Sequence, residues 1–330
     1  MKKFINSPNS YVTDTLSGIY KVYSEKIGYV SGDLHCLVRK ETIKDKVGIV
    51  TGGGSGHLPL FLGYVGDGLL DGCAVGDVFR SPNSEQVYEV TKAVDSGKGV
   101  IYIIGNYNGD IFNFSIAAQK AYCNDGIQTS MLVVKDDIAS YNKESRRGAA
   151  GLFFVYKCAG AAAAKMKGLE EVKSIAERAL EQTKTLGVGL MPCVIPESGK
   201  ESFKTNECDI EIGVGIHGEA GVKKRKITSA KKLSKNLISQ LNEELQLNDG
   251  ERVSVLINGM GGTPLDELYI VYDAVEQILS SQNITISKAF VGEFVTTMEM
   301  AGVSISIIKL DDELEELLMF PANAIMYKQI

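Results

Sequence analysis

Short apolar runs rich in β-branched residues alternate along the chain with longer stretches whose apolar positions recur every three to four residues. The first pattern is that of buried strands and the second that of helices with one apolar face, so the chain reads as an α/β protein. Strands are expected at residues 47–51, 100–104, 130–134 and 188–194, and helices at 85–94, 113–123 and 152–166. A further helix over 169–186 carries Leu169, Val172, Ala176 and Ala179 on one stripe, with Gly187 as its stop. The alanines at 161–164 point to close helix packing.

A second set of elements begins after the polar, turn-rich Pro196-Glu197-Ser198-Gly199-Lys200. Strands are expected at 209–213, 253–257, 289–293 and 303–308, and a helix at 232–245 with Leu233, Leu237, Leu241 and Leu245 at four-residue spacing. Thr263 and Pro264 read as the cap and first turn of another helix, and Asp266 and Glu267 suit its positive end. The expected architecture is two α/β domains, residues 1–190 and 191–330, joined near 190–200, each a mixed or mostly parallel sheet flanked by helices.

Composition narrows the class. Hydrophobic residues at 44% and charged residues at 23% are those of a soluble globular protein. A net charge of −6 argues against direct contact with nucleic acid. The six cysteines are scattered without a Cys-x-x-Cys pair, so neither a disulfide scaffold nor a metal site is expected and a reducing compartment is the simpler reading. The basic start, MKKFINSPNS, lacks a signal peptide's apolar stretch, and no run is long enough to span a bilayer, so a cytoplasmic protein is expected. The basic run Lys223-Lys224-Arg225-Lys226, with Lys231 and Lys232 beyond, reads as a solvated loop.

Two of the three histidines sit in glycine-rich runs, Gly52-Gly53-Gly54-Ser55-Gly56-His57 and Gly213-Val214-Gly215-Ile216-His217-Gly218-Glu219. Glycine lets backbone crowd a small ligand, and imidazole supplies a nucleophile or proton carrier near neutral pH. GGGSGH follows a strand, at the carboxyl edge where open α/β sheets bind ligands, but lacks the Gly-Lys-Ser/Thr ending of a Walker loop. His57 there either hydrogen-bonds a ligand or merely caps a helix. Gly213-x-Gly215-x-x-Gly218 matches the dinucleotide fingerprint in letters only, because the following residues read as loop; a dinucleotide-dependent oxidoreductase is thus a remote alternative. A neutral nitrogen of His217 can attack a ketone or aldehyde carbon, and Glu219 could fix its tautomer, although a purely structural histidine is equally open. Asn106, Asn108 and Asp110, after the strand 100–104, suit the hydroxyls of a small polyol, and an aspartate can accept a hydroxyl proton; they are also ordinary turn residues. Asn258-Gly259-Met260-Gly261-Gly262 is a fourth such loop, compatible with a plain strand-to-helix turn.

Taken together, MKKFINSPN, GGGSGH, GDVFRSP, GNYNGD, ESRRGAAG, GVGIHGEAG, NGMGGTPLDELY and TTMEMAGVSISIIKLDDEL resemble the dihydroxyacetone-binding subunit of the dihydroxyacetone kinases over nearly the whole chain. The resemblance implies two α/β domains, a homodimer and a substrate held covalently as a hemiaminal on a histidine, which motif matching makes His217. It also implies that His57 hydrogen-bonds the ligand, that Gly54, Ser55 and Gly56 line it, and that Asp110 activates the hydroxyl that receives phosphate. A carbonyl accepts the imidazole and glycerol cannot, so covalency supplies selectivity.

The chain departs from the kinase pattern at several points. Leu58 stands where the family has Glu, Gly105 where it has Lys, and Ser115 where it has a helix-start Glu. Only Arg39-Lys40-Glu41 represents an expected arginine-aspartate pair, and the tail FPANAIMYKQI lacks the usual proline-rich aromatic ending. Each lost charge-assisted contact, where buried, is worth on the order of 1–3 kcal/mol. The family includes a dihydroxyacetone-sensing coactivator that works with a TetR-like DNA-binding partner to switch on the kinase operon. The resemblance therefore implies a coactivator without cofactor, with a phosphoryl-accepting subunit served by an ADP-carrying partner as the alternative.

Overall fold

The computed structural model describes residues 2–140 and 142–330; Met1, the first residue of the MKKFINSPN motif, and Tyr141 lie outside the described residues. The first half runs α1 (Tyr11–Val22), β1 (Ile27–Tyr29), β2 (Cys36–Arg39), β3 (Gly48–Ser55), β4 (Gly66–Asp67), β5 (Gly72–Val78), α2 (Ser84–Val94), β6 (Val100–Gly105), α3 (Asn108–Asp125), β7 (Thr129–Val134), α4 (Leu152–Ala164) and α5 (Leu169–Glu181). The second continues as β8 (Thr183–Met191), β9 (Asp209–Ile212), β10 (Lys223–Lys226), α6 (Ala230–Leu245), β11 (Arg252–Gly259), α7 (Leu265–Ser281), β12 (Thr285–Gly292), β13 (Ala301–Leu310), α8 (Asp312–Met319), β14 (Ala322–Ala324) and β15 (Lys328–Gln329).

Two six-stranded sheets carry the molecule, each flanked by helices, as the alternating pattern implies. The first has the order β1-β2-β5-β3-β6-β7, parallel from β5 to β7 with an antiparallel β1-β2 edge. β6, flanked on both sides, is buried throughout, which is why residues 100–104 read as an unbroken apolar run. The second, β10-β9-β8-β13-β11-β12, is mixed: β11 and β12 run parallel and its other pairs antiparallel. Strand β8 spans residue 190 and already belongs to the second sheet, while β14 returns to pair with β4. Leu314, Leu317 and Leu318 of α8 likewise join the first half's core.

Several elements differ from expectation for identifiable reasons. The helix from 169 ends at Glu181, where the Thr183 hydroxyl donates to the Ala179 carbonyl (2.7 Å). The strand expected from 188 begins earlier, at Thr183, so Gly187 lies inside it rather than stopping the helix; a Cβ there would stand 2.9 Å from the Met260 methyl. Thr263 does not cap α7; its hydroxyl is spent on β13, donating to the Gly302 carbonyl (2.7 Å) and accepting from its N–H (2.8 Å). The basic run 223–226 is an exposed edge strand, where repeated cations discourage further strand pairing. Helix α3 starts at Asn108, five residues before its apolar stripe, and so takes Asp110 into its first turn. The buried alanines of α4 sit where helices approach closely, as expected. Among the described residues, no helix is long and apolar enough to cross a membrane.

Candidate functional site

β3 and β6 are parallel neighbours, so the loops that follow them emerge together at one edge of the first sheet. The expected glycine loop begins as the end of β3 itself, and close packing explains its glycines. A Cβ on Gly53 would lie 2.4 Å from the Phe61 ring, and one on Gly54 would lie 2.6 Å from the Arg80 backbone nitrogen. Residues 296–298, from the second half, clasp this loop: Thr296 N–H donates to the His57 carbonyl (3.2 Å) and Met298 N–H to the Gly56 carbonyl (2.8 Å).

That clasp sets the His57 tautomer. Nδ1 lies 2.9 Å from the Thr296 carbonyl, an acceptor, so Nδ1 carries the proton and Nε2 keeps its lone pair. Among the described residues, Nε2 is buried without a hydrogen-bond partner. Burial, reinforced by the neighbouring His217, lowers the His57 pKa to about 3, so the ring stays neutral at physiological pH. Phe79 stacks on it at 5.0 Å between ring centroids, and His217 meets it edge to face at 4.9 Å. The helix-capping alternative for His57 does not apply: residues 61–64 form only a short 3-10 turn whose cap makes no side-chain hydrogen bond.

His217 lies in the loop between antiparallel β9 and β10. No helix follows that loop directly, so its glycines offer no helix N-terminus to a pyrophosphate, against the dinucleotide alternative. Glu219 binds this loop to itself: Oε2 accepts from the His217 N–H (2.9 Å), while Oε1 stands 3.6 Å from Nδ1. Glu219 thereby favours the proton on Nδ1, the nitrogen it faces, over Nε2. Burial alone would raise the Glu219 pKa, but His217 and Arg147 outweigh it and hold it at about 2. Arg147 in turn donates to Asp137 Oδ2 (2.9 Å from Nε) and to the Gly213 carbonyl (2.7 Å), fixing the base of the loop. Tyr107 packs edge-on to His217 at 4.3 Å, its hydroxyl donating to the Gly148 carbonyl (2.9 Å).

Asp110 is buried in the first turn of α3, and its Oδ1 has no hydrogen-bond partner among the described residues. Burial raises its pKa to about 6 against the pull of the Ser81 hydroxyl and His217. The site thus brings together two imidazoles, that of His57 held neutral, and a buried carboxyl that titrates near physiological pH.

Not every residue singled out in the sequence belongs to it. Asn106 donates its amide to the Glu144 and Arg146 carbonyls (3.0 and 2.8 Å), and Asn108 is exposed, so Asp110 is the member of that motif whose side chain is buried with an unpaired oxygen. Asn258 is structural: its Oδ1 accepts from the N–H groups of Phe294 and Val295 (2.9 and 2.8 Å), which holds the clasp segment. Phe79, Tyr107, Thr296 and Arg147 were given no role in the sequence; all four lie in motifs that carried the resemblance, but nothing there pairs Thr296 with His57. Two departures are also visible in place. A Cβ at Gly105 would lie 2.9 Å from the Tyr107 ring, and Leu58 is half-buried with its carbonyl accepting from the Thr296 hydroxyl (2.9 Å).

An α/β protein with paired imidazoles at a glycine loop is the class that fold and site define. The Dak1 domain model matches residues 17–326, and the chain belongs to that family. It is 41% identical over 331 residues to the dihydroxyacetone-binding subunit DhaK of a PTS-dependent dihydroxyacetone kinase from Listeria innocua, covering 99% of this chain and 100% of that one. Among solved structures it resembles the dihydroxyacetone kinase operon co-activator Dha-DhaQ (TM-score 0.90, 31% identity, 96% of this chain and 98% of that one). It equally resembles the dihydroxyacetone kinase of C. freundii (TM-score 0.92, 30% identity, 99% of this chain and 60% of that one).

Proposed function

We propose that this chain binds dihydroxyacetone as a hemiaminal on His217 and acts as a ligand-sensing coactivator for a TetR-like regulator of a dihydroxyacetone kinase operon. The observation that carries the binding half is the facing pair, His217 beside Glu219 and neutral His57 with a free Nε2. In the proposed step the Nε2 lone pair of His217 attacks the ketone carbon and the carbonyl π pair moves to oxygen. The Nδ1 proton leaves through Glu219 and a proton reaches the new alkoxide, giving a neutral hemiaminal. His57 and the backbone of Gly54, Ser55 and Gly56 position the hydroxyl ends. No cofactor or metal enters.

The coactivator half rests on what the site lacks: Leu58 and Gly105 put no charge where the kinases carry Glu and Lys. Without those groups the ligand is held while a transferring phosphoryl group finds less stabilisation. As a homodimer acting through a protein partner, the chain has no need of its own DNA contact, in keeping with its net charge of −6.

A second reading, a working kinase subunit with Asp110 as base and an ADP-carrying partner as donor, is favoured by that buried, unpaired carboxyl with a pKa of about 6. One experiment separates the two. The chain is loaded with dihydroxyacetone and mixed with an ADP-loaded donor subunit, or with the TetR-like regulator and operator DNA. Ligand-dependent regulator binding without dihydroxyacetone phosphate is expected. Rapid formation of the phosphate ester would overturn the coactivator reading in favour of the kinase. Intact-mass spectrometry showing no adduct would overturn both.

A further inference from the structure

The loop that carries His217 and Glu219 runs directly into β10, the outermost strand at one edge of the second sheet. β10 pairs with β9 alone, so alternate backbone N–H and C=O groups of Lys223–Lys226 point outward without a ladder partner. Cross-strand partners share a face: Lys224 and Lys226 lie opposite Glu211 and Asp209, and Lys223 and Arg225 opposite Ile212 and Ile210. The first pair is neutralised in place, with Lys224 Nζ 2.9 Å from the buried Glu211 carboxylate and Lys226 Nζ 2.7 Å from Asp209. Lys223 and Arg225 have no carboxylate partner among the described residues, nor have Lys231, Lys232 and Lys235, which follow in α6. From Ala220 to Asn242 the chain holds seven cations and no carboxylate, in a protein whose net charge is −6. Val222 and Ile227 stand exposed at the two ends of the strand.

We propose that β10 is a docking edge for an acidic, extended segment of the chain's protein partner, which adds to the second sheet as a further strand. Two independent features favour that occupant. The outward backbone groups need peptide partners, which an extended chain supplies along the whole strand. The unpaired Lys223 and Arg225 share one face, where acidic side chains at alternate positions of the added strand meet them. Nucleic acid would answer the cations and leave the ladder edge bare. The cations that discourage pairing with an ordinary strand thereby select an acidic one.

Position gives this edge its consequence. β10 begins shortly after Glu219, so a strand added there stiffens the root of the loop on which His217 stands. Ligand at His217 and partner at β10 then act on one segment, and each changes the affinity of the other by the same factor. The coupling rests on the reading of the chain as one that binds dihydroxyacetone and works through a protein partner.

The probe is a short capped peptide that alternates glutamate and threonine, titrated into the full chain. Saturable one-site binding is expected, with amide hydrogen exchange slowed in β10 and unchanged in β12 at the sheet's other edge. Methylating the peptide's ladder-facing amides keeps its charge and should weaken binding about tenfold, as loss of one or two ladder hydrogen bonds requires. Lys223→Glu together with Arg225→Glu should abolish binding, and His217→Ala without dihydroxyacetone should bind as the wild type does. Absence of saturable binding, equal binding of the methylated peptide, or protection away from β10 overturns the proposal. Tighter binding of a mixed-sequence DNA duplex than of the peptide, lost in the same double variant, also overturns it by assigning the patch to phosphate. Should the double variant not fold, the methylated peptide decides alone. Dihydroxyacetone should change the peptide's affinity in the wild type and not in His217→Ala. An unchanged affinity in a chain that forms the adduct refutes the coupling. A missing adduct with peptide binding intact refutes the reading of His217 and leaves the docking edge standing.

Discussion

The imidazoles of His57 and His217 meet edge to face with ring centroids 4.9 Å apart, one carried by a loop of the first sheet and the other by a loop of the second. Neither half of the chain contains the site. Its geometry depends on the contacts that lock the halves together, chiefly the segment after β12 that orients His57 and is itself held by Asn258.

Acid should destabilise the protein partly through His57. Its folded pKa of about 3 lies below the ordinary value of 6.5, so unfolding takes up a proton between those limits. The stability due to the neutral ring is complete above the upper limit and lost as pH falls towards the lower, at up to about 1.4 kcal/mol per pH unit. Asp110 and Asp137, both raised by burial to about 6, act in the opposite sense. Comparison with His57→Asn isolates the histidine. Between pH 7 and pH 4.5 (about two units of that span lying below the ordinary histidine pKa) the wild type should lose more thermal stability than the variant. Parallel curves would refute the burial of a neutral ring.

Asp110→Asn should stabilise the resting protein. Burial moves the carboxyl from 3.8 to about 6, so its charged form is disfavoured in the fold at pH 7. Removing that charge should raise the unfolding free energy by about 1–3 kcal/mol. The advantage should shrink as pH falls through 6 and vanish below the ordinary carboxylate range, where wild-type Asp110 is protonated in both states. Denaturant curves at pH 7.5 and pH 4 test this, and a destabilised variant at the higher pH contradicts it. If the kinase reading holds, the same variant keeps the adduct and loses phosphoryl acceptance.

The glycine loop makes a steric prediction. Gly53→Ala drives a methyl against the Phe61 ring, which can tilt, whereas Gly54→Ala drives one against the backbone of Phe79 and Arg80, which cannot. Both overpack the fold, by roughly 1–3 kcal/mol, and Gly54→Ala should be the more damaging. Thermal unfolding of the pair gives the order directly. A better tolerated Gly54→Ala would mean that the loop is looser than its packing implies.

How much of this was legible in the sequence follows from where each interaction originates. The buried strand β6 of the first sheet carries its own signal, because both its faces are apolar. So do His57, Asp110 and His217, each embedded in a distinctive local motif. What fails is information carried by distant partners. Residues 183–186 follow an apolar stripe and read as helix, with a strand expected only from 188, and pairing with β13 makes 183–191 one strand. The neutral Nε2 of His57 depends on a carbonyl 239 residues away. The C-terminal hairpin's return to β4 has no local signature either.

Glu219 offers the most direct test of the chemistry at His217. Its carboxylate accepts from the His217 backbone N–H at 2.9 Å and stands 3.6 Å from Nδ1, where it can take the proton released when Nε2 attacks a carbonyl. Glu219→Gln keeps the size and an acceptor oxygen but removes the charge, so the loop should stay in place while the nucleophile weakens. Adduct formation with dihydroxyacetone should slow by about 100-fold, the lower end of general-base effects. Stability should change little: the partly exposed carboxylate contributes about 1 kcal/mol after screening by solvent. That contribution is present above the ordinary value of 4.5 and is lost as pH falls through about 2. Time-resolved intact-mass measurements at pH 7.5 (about three units above the ordinary carboxylate pKa) read the rate directly, and near-ultraviolet circular dichroism confirms the fold. An unchanged rate in a folded variant would remove Glu219 from the mechanism and leave the tautomer of His217 to be fixed by other neighbours.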